Sequence, residues 1–177
     1  MASLPPIVQW WDENESAQQS LWDAGVVDAG SDSVPTVFHV WNNRGNSTAV
    51  SDMINVDITV RDINGQTADL RVAGQSEAIV YVQFFDNSKL SGIGQWGAHA
   101  PSNGQWTGDY WRALKHDEPA PVVSCSGQYR KISGAANTAN KNVDKVNYAK
   151  IKLKLYAKPA AGAGQIDWLT RISYQYQ

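Results

Sequence analysis

The sequence predicts an all-β protein, a β-sandwich or jelly roll of roughly seven to nine strands with a long loop-rich insertion. Two observations predict it. Apolar residues recur with a period of two in several separate stretches, as in strands with one face buried. Between these stretches stand turn signals rich in Gly, Asn, Asp and Pro. Only Asn14–Leu21 reads as a possible helix, with Asn14 as its N-cap, and equally as an irregular lead into a strand at Leu21–Trp22.

The elements follow in order. Pro6–Trp11 is a short first strand, and residues 1–20 form an N-terminal arm. Thr36–Trp41 is the next strand, ended by Asn42-Asn43-Arg44-Gly45. Ile54–Arg61 alternates with Asp57, Thr59 and Arg61 outward, and Asn64-Gly65 supplies a hairpin signal because both residues tolerate positive φ. Leu70–Val72 and Ala78–Phe85 are further strands. The second is apolar almost throughout and is expected to be central, with both faces covered. Residues 87–142 form the loop-rich excursion, with strand candidates at Gln105–Leu114 and Gln128–Ile132 and an exposed loop at Ser133–Asn142. Lys150–Tyr156 alternates strictly, three Lys on one face and Ile151, Leu153 and Leu155 on the other. Trp168–Tyr176 alternates too, and Pro159–Gly164 lies between them, so the chain closes on two antiparallel strands. The whole of 1–177 reads as one domain.

Composition narrows the function. The chain has 177 residues, eight Trp against three Phe, and a net charge of −2. A single Cys excludes an internal disulfide framework, and no apolar run reaches the ~20 residues that span a bilayer. The first residues lack a basic start followed by an apolar stretch, so synthesis in a cytoplasm without a signal peptide is expected. The small net charge conceals a split. Residues 1–111 carry 4 basic and 13 acidic side chains, and residues 112–177 carry 11 and 4. Such a split means either head-to-tail association through complementary fields or two halves that interleave so the charges mix in space.

No catalytic constellation emerges, and neither a metal site nor a cofactor is expected. His116-Asp117-Glu118, with Asp109 nearby, reads as a solvated turn because adjacent residues cannot converge on one centre in an extended chain. Asp12, Glu13 and Glu15 read as a solvated or helix-N-terminal acidic stretch. Ser124-Cys125-Ser126 lacks the glycines of a nucleophile elbow, and Cys125 reads as a small buried hydrophobe. His39 reads as a packed or hydrogen-bonded histidine.

Binding residues are easier to name. Trp96, Trp106, Tyr110 and Trp111 sit in the Gly-rich excursion. They are either an aromatic binding surface, of the kind that stacks on sugar rings or anchors interfaces, or the cover of a small second core. Trp10 and Trp11 can anchor the N-terminal arm to a neighbouring subunit. Lys150, Lys152 and Lys154 read as an edge-strand guard against aggregation or as a docking surface for an acidic partner. Nucleic-acid and membrane partners are not expected.

Gly25-Val-Val-Asp-Ala-Gly-Ser31, Val37-Phe-His-Val-Trp-Asn-Asn43 before Gly45, and Met53–Val60 together resemble an immunoglobulin-like sandwich domain, without its disulfide cysteines. The close of the chain, Lys150–Tyr156, Pro159, Gly162 and Ile166–Tyr174, is similar to that of tailed-bacteriophage structural proteins. The resemblance implies a non-enzymatic virion protein, an accessory or decoration protein of capsid or tail. Its implied partners are other virion proteins and copies of itself. A carbohydrate- or receptor-binding module using the loop aromatics is the alternative.

Overall fold

The computed structural model describes residues 4–63, 71–87, 95–97 and 110–177. Among these the secondary structure is all β, in ten strands and two antiparallel sheets, with no helix. The strands are β1 (Val8–Asp12), β2 (Thr36–Asn42), β3 (Met53–Asp62), β4 (Ala78–Asp86), β5 (Gln95–Gly97), β6 (Arg112–Ala113), β7 (Ala120–Pro121), β8 (Lys131–Ile132), β9 (Tyr148–Ala157) and β10 (Trp168–Tyr176). The larger sheet runs β1-β2-β9-β4-β5, with β6 also pairing β4; the smaller runs β10-β3-β7, with β8 also pairing β3. The sheets face each other across one hydrophobic layer, as in a β-sandwich.

Alternation explains that layer. β2 sends Phe38 and Val40 inward, β9 sends Ile151, Leu153 and Leu155, and β4 sends Val80, Val82 and Phe84, all buried. Register sets them side by side, with Phe38 opposite Ile151 and Phe84 opposite Ile151 on the other flank. From the smaller sheet come Met53, Val56, Ile58 and Val60 of β3, with Trp168, Ile172 and Tyr174 of β10 half-buried against them. β4 is covered on both faces, as its apolar run predicts: on the outward side Gln83 is fully buried and Tyr81 and Phe85 half-buried.

Several expectations are corrected. The possible helix near Asn14–Leu21 is a tight loop folded back on β1. Asp12 accepts the backbone N–H and hydroxyl of Ser16, and the N–H of Gln19 donates to the Trp10 carbonyl at 2.8 Å. Glu15 has φ 60°, outside the helical region. The last two strands do not pair with each other: β9 enters the larger sheet and β10 the smaller. The turn between them, held by Arg71 and Glu77 on Gly162, is a crossover between layers. β9 is flanked by β2 and β4, so its lysines do not guard an edge. Arg71–Gly74 is a turn, not a strand; Ser133–Asn142 is a largely exposed loop, as expected, held by Asp144, which accepts from Thr138 and Asn140. The Asn64-Gly65 hairpin signal, Leu70 and residues Gln105–Asp109 of the predicted strand lie outside the described residues.

The charge split resolves by interleaving. β9, from the basic half, lies between β2 and β4 of the acidic half, and ion pairs join the two. They are Lys150–Glu13 (3.0 Å), Lys154–Asp32 (2.8 Å), Lys131–Asp52 (2.7 Å) and Arg130–Asp57 (2.6 Å).

Candidate docking face on the larger sheet

Strand parity places the candidate residues. In β9, Lys150, Lys152 and Lys154 alternate with core residues and so lie on the outward face of the larger sheet. Across the β4 ladder, Phe85 stands opposite Lys150 and Tyr81 opposite Lys154. Trp96 of β5 stands opposite Phe85, and their rings meet edge to face at 5.0 Å. Trp111 immediately precedes β6. Trp96 and Trp111, singled out in the sequence separately from the three lysines, thus share a surface with them.

The ammonium groups lie over the rings. Lys152 Nζ is 4.0 Å from the centre of Trp96 and 5.9 Å from Trp111; Lys154 Nζ is 4.8 Å from Trp111 and 5.5 Å from Tyr81; Lys150 Nζ is 5.2 Å from Phe85 and 5.5 Å from Trp96. Each such contact contributes about 0.5–1 kcal/mol where solvent reaches it. Lys150 and Lys154 are also paired with Glu13 and Asp32. The result is a face of clamped cations and half-buried indoles whose side chains have little rotational freedom left to lose on binding. Tyr110, next to Trp111 in the chain, is 55% exposed, and Trp106 lies outside the described residues.

The arm residues take different places. Trp10 and Trp11 are adjacent in β1 and so point to opposite faces. Trp10 packs edge-on against Phe38 on the core side, at 5.9 Å. Trp11, on the outward side, lies under the Arg44 guanidinium at 3.9 Å. Trp11 therefore shares the outward face with the lysines, in one cross-strand row with His39, Lys150 and Phe85, and Trp10 does not.

The sequence reading missed Glu15. Rather than solvated, its carboxylate is 8% exposed and holds three partners: Trp41 Nε1 at 2.9 Å, His39 Nδ1 at 2.7 Å and Arg44 at 3.1 Å. No local pattern betrays this, because all three partners lie more than twenty residues away. His39 is buried and hydrogen-bonded, as its strand predicts. Burial lowers its pKa, and the Glu15 carboxylate only partly opposes that shift. Nε2 is buried without a partner, so a second ring proton has no acceptor. Trp41 stacks on Tyr148 at 4.5 Å, with Cys125 buried beside them.

The remaining candidates serve structure. Burial pushes the Cys125 thiol up, and Asn87 donates to its sulfur at 2.8 Å. Ser124 Oγ lies 3.0 Å from Ser126 Oγ and accepts the Gln128 N–H. His116 Nδ1 faces the Ala73 carbonyl at 3.0 Å, while Asp117 and Glu118 are exposed. On the open side of the sandwich, an apolar groove of about 1040 Å³ runs between the β1–β2 flank and β10, walled by Trp10, Trp22, Phe38, Leu155, Ile166 and Trp168.

In comparisons with known proteins, the chain matches no family model and no curated protein.

Proposed function

We propose that this chain is a non-enzymatic structural protein of a bacteriophage particle, an accessory protein held on the capsid or tail by repeated protein–protein contacts. The observation that carries the reading is the lysine–aromatic face. Half-buried tryptophans with cations held over their rings are what interface hot spots are made of. The partner that suits it presents carboxylates to Lys150, Lys152 and Lys154 and an apolar contact to Trp96 and Trp111. The use of Ser124, Cys125, His39 and Glu15 in internal packing supports a role without catalysis. The sequence resemblance supplies the virion setting and the immunoglobulin-like class of the sandwich.

The test is the protein content of purified particles. Mass spectrometry of density-banded virions from a phage encoding this chain should find it in many copies per particle. Its absence there, with the protein abundant in the infected cell, overturns the virion reading.

The exposure of Tyr110 beside Trp111 favours a second reading, a glycan- or receptor-binding module. Glycan-array binding that is lost in Trp106→Ala and Trp111→Ala selects it.

A further inference from the structure

A sheet edge exposes backbone N–H and C=O groups that can pair with another strand, and proteins usually blunt such edges. Among the described residues, three of the four sheet edges are blunted. Outside β1, the returning loop occupies the backbone: Gln19 N–H donates to the Trp10 carbonyl, and Asp12 N–H donates to the Ala17 carbonyl at 3.1 Å. Outside β4 lie the short strands β5 and β6. Outside β3 lie β7, which contains Pro121, and β8, two residues each. The fourth edge is β10. It is nine residues long, holds no Pro or Gly, and has Arg171 as its single charge. None of the described backbone hydrogen bonds outside the ladders involves residues 168–176.

The direction of its free groups can be worked out. Val56 donates its N–H to Arg130 and accepts that of Val122, so Val56 faces away from β10. Alternation then aims Asp57, Thr59 and Arg61 at β10, where their register partners are Ser173, Arg171 and Leu169. The intervening residues Trp168, Thr170, Ile172 and Tyr174 therefore aim N–H and C=O outward. The register shift along this ladder puts the additional residue on β3, where Asn55 has φ 50°, so β10 itself runs without a bulge.

We propose that β10 pairs with β10 of a second copy of this chain, antiparallel and two-fold symmetric about Ile172, merging the two smaller sheets into one. This register uses the outward groups of all four residues. It places Trp168 opposite Tyr176, Thr170 opposite Tyr174 and Ile172 opposite its own copy, on the face that packs against the core. On the other face it sets Arg171 opposite Ser173. Centring the two-fold on Arg171 would instead bring two guanidinium groups together at a non-hydrogen-bonded pair, where side chains come closest. The aromatic pair is favourable, and Tyr176, 55% exposed, gains cover. The inference does not depend on the virion reading, because it concerns the protein alone in solution.

Sedimentation velocity of the purified full chain over a wide concentration range tests it. The wild type should be a dimer. Thr170→Pro removes an outward N–H and leaves the β3 ladder intact, and should give a folded monomer. Ser173→Arg sets two arginines opposite each other across the two-fold, twice per dimer, while facing Asp57 within its own chain. It should weaken dimerisation about tenfold at low salt, with recovery at high salt as the repulsion is screened. A wild type that is monomeric throughout overturns the proposal, as does a folded Thr170→Pro dimer. If Thr170→Pro does not fold, Ser173→Arg decides: no weakening, or weakening that salt does not relieve, overturns it.

Discussion

Replacing Glu15 by Ala should destabilise the protein by about 3 kcal/mol, a large effect for a residue in the connection between β1 and β2. The carboxylate accepts three hydrogen bonds, from Trp41, His39 and Arg44, at 2.9, 2.7 and 3.1 Å. Bonds to a charged group contribute about 1.5–3 kcal/mol each when buried. Two effects reduce the sum. Arg44, with its side chain 19% exposed, can turn toward water when its partner goes. The loop can also relax from the left-handed backbone at Glu15, recovering about 1 kcal/mol. What remains is set by the buried N–H groups of His39 and Trp41, which lose their acceptor. Glu15→Gln keeps an acceptor oxygen and should cost about half as much. Urea unfolding followed by tryptophan fluorescence measures both variants. The midpoint should fall with little change in slope, and Glu15→Ala should lower Tm by about 6–12 °C for a chain of this size. A loss under about 0.5 kcal/mol, the level of an ordinary surface substitution, would refute the reasoning and leave the network as a bystander.

Two other predictions concern a buried histidine and a crowded glycine. Burial holds the folded pKa of His39 below its ordinary 6.5, so the unfolded chain takes up the proton first as pH falls. Stability contributed by neutral His39 is therefore full above that value and declines as pH drops below it, by at most about 1.4 kcal/mol per pH unit. Urea midpoints measured from pH 7 to pH 5 should show this slope, and His39→Gln should flatten it; an equal slope in both proteins counts against it. Gly134 lies where any Cβ would press on the backbone carbonyls of Val50 and Ser51, while its own N–H donates to Asp52 at 2.8 Å. Gly134→Ala should lose about 2–3 kcal/mol, read as a lowered thermal midpoint, and an unchanged midpoint would show that the loop simply shifts.

How much of this was legible in the sequence depends on the range of the interaction. Lys150–Tyr156 displays its two faces because strand parity is local, and the same rule puts His39 and Trp41 on one side of β2 and Phe38 and Val40 on the other. Parity does not say which strands lie side by side. That β9 sits between β2 and β4, and that β10 joins β3 instead of β9, are facts of long-range register. The docking face needed that information, since Trp96 and Trp111 reach Lys152 and Lys154 only once β5, β4 and β9 are in order. Glu15 shows the opposite failure. An acidic tripeptide neighbourhood looks solvated by composition, yet a single left-handed residue turns one carboxylate inward onto partners from β2 and the loop after it.

The central place of β9 has a consequence for how the chain acquires its structure. Phe38 and Phe84 both wait for Ile151, so neither half of the larger sheet can close until β9 has left the ribosome. Until then β2 and β4 each present an unsatisfied flank of apolar, strand-forming sequence. Topologies dominated by such distant pairings fold slowly, and their partly made forms are prone to aggregate. The lysines of β9 arrive together with its apolar face, so the segment that completes the sheet is itself kept soluble while it searches for its slot. A nascent chain stalled before Tyr148 should accordingly be a chaperone client, and emergence of β9 should be the event that frees it.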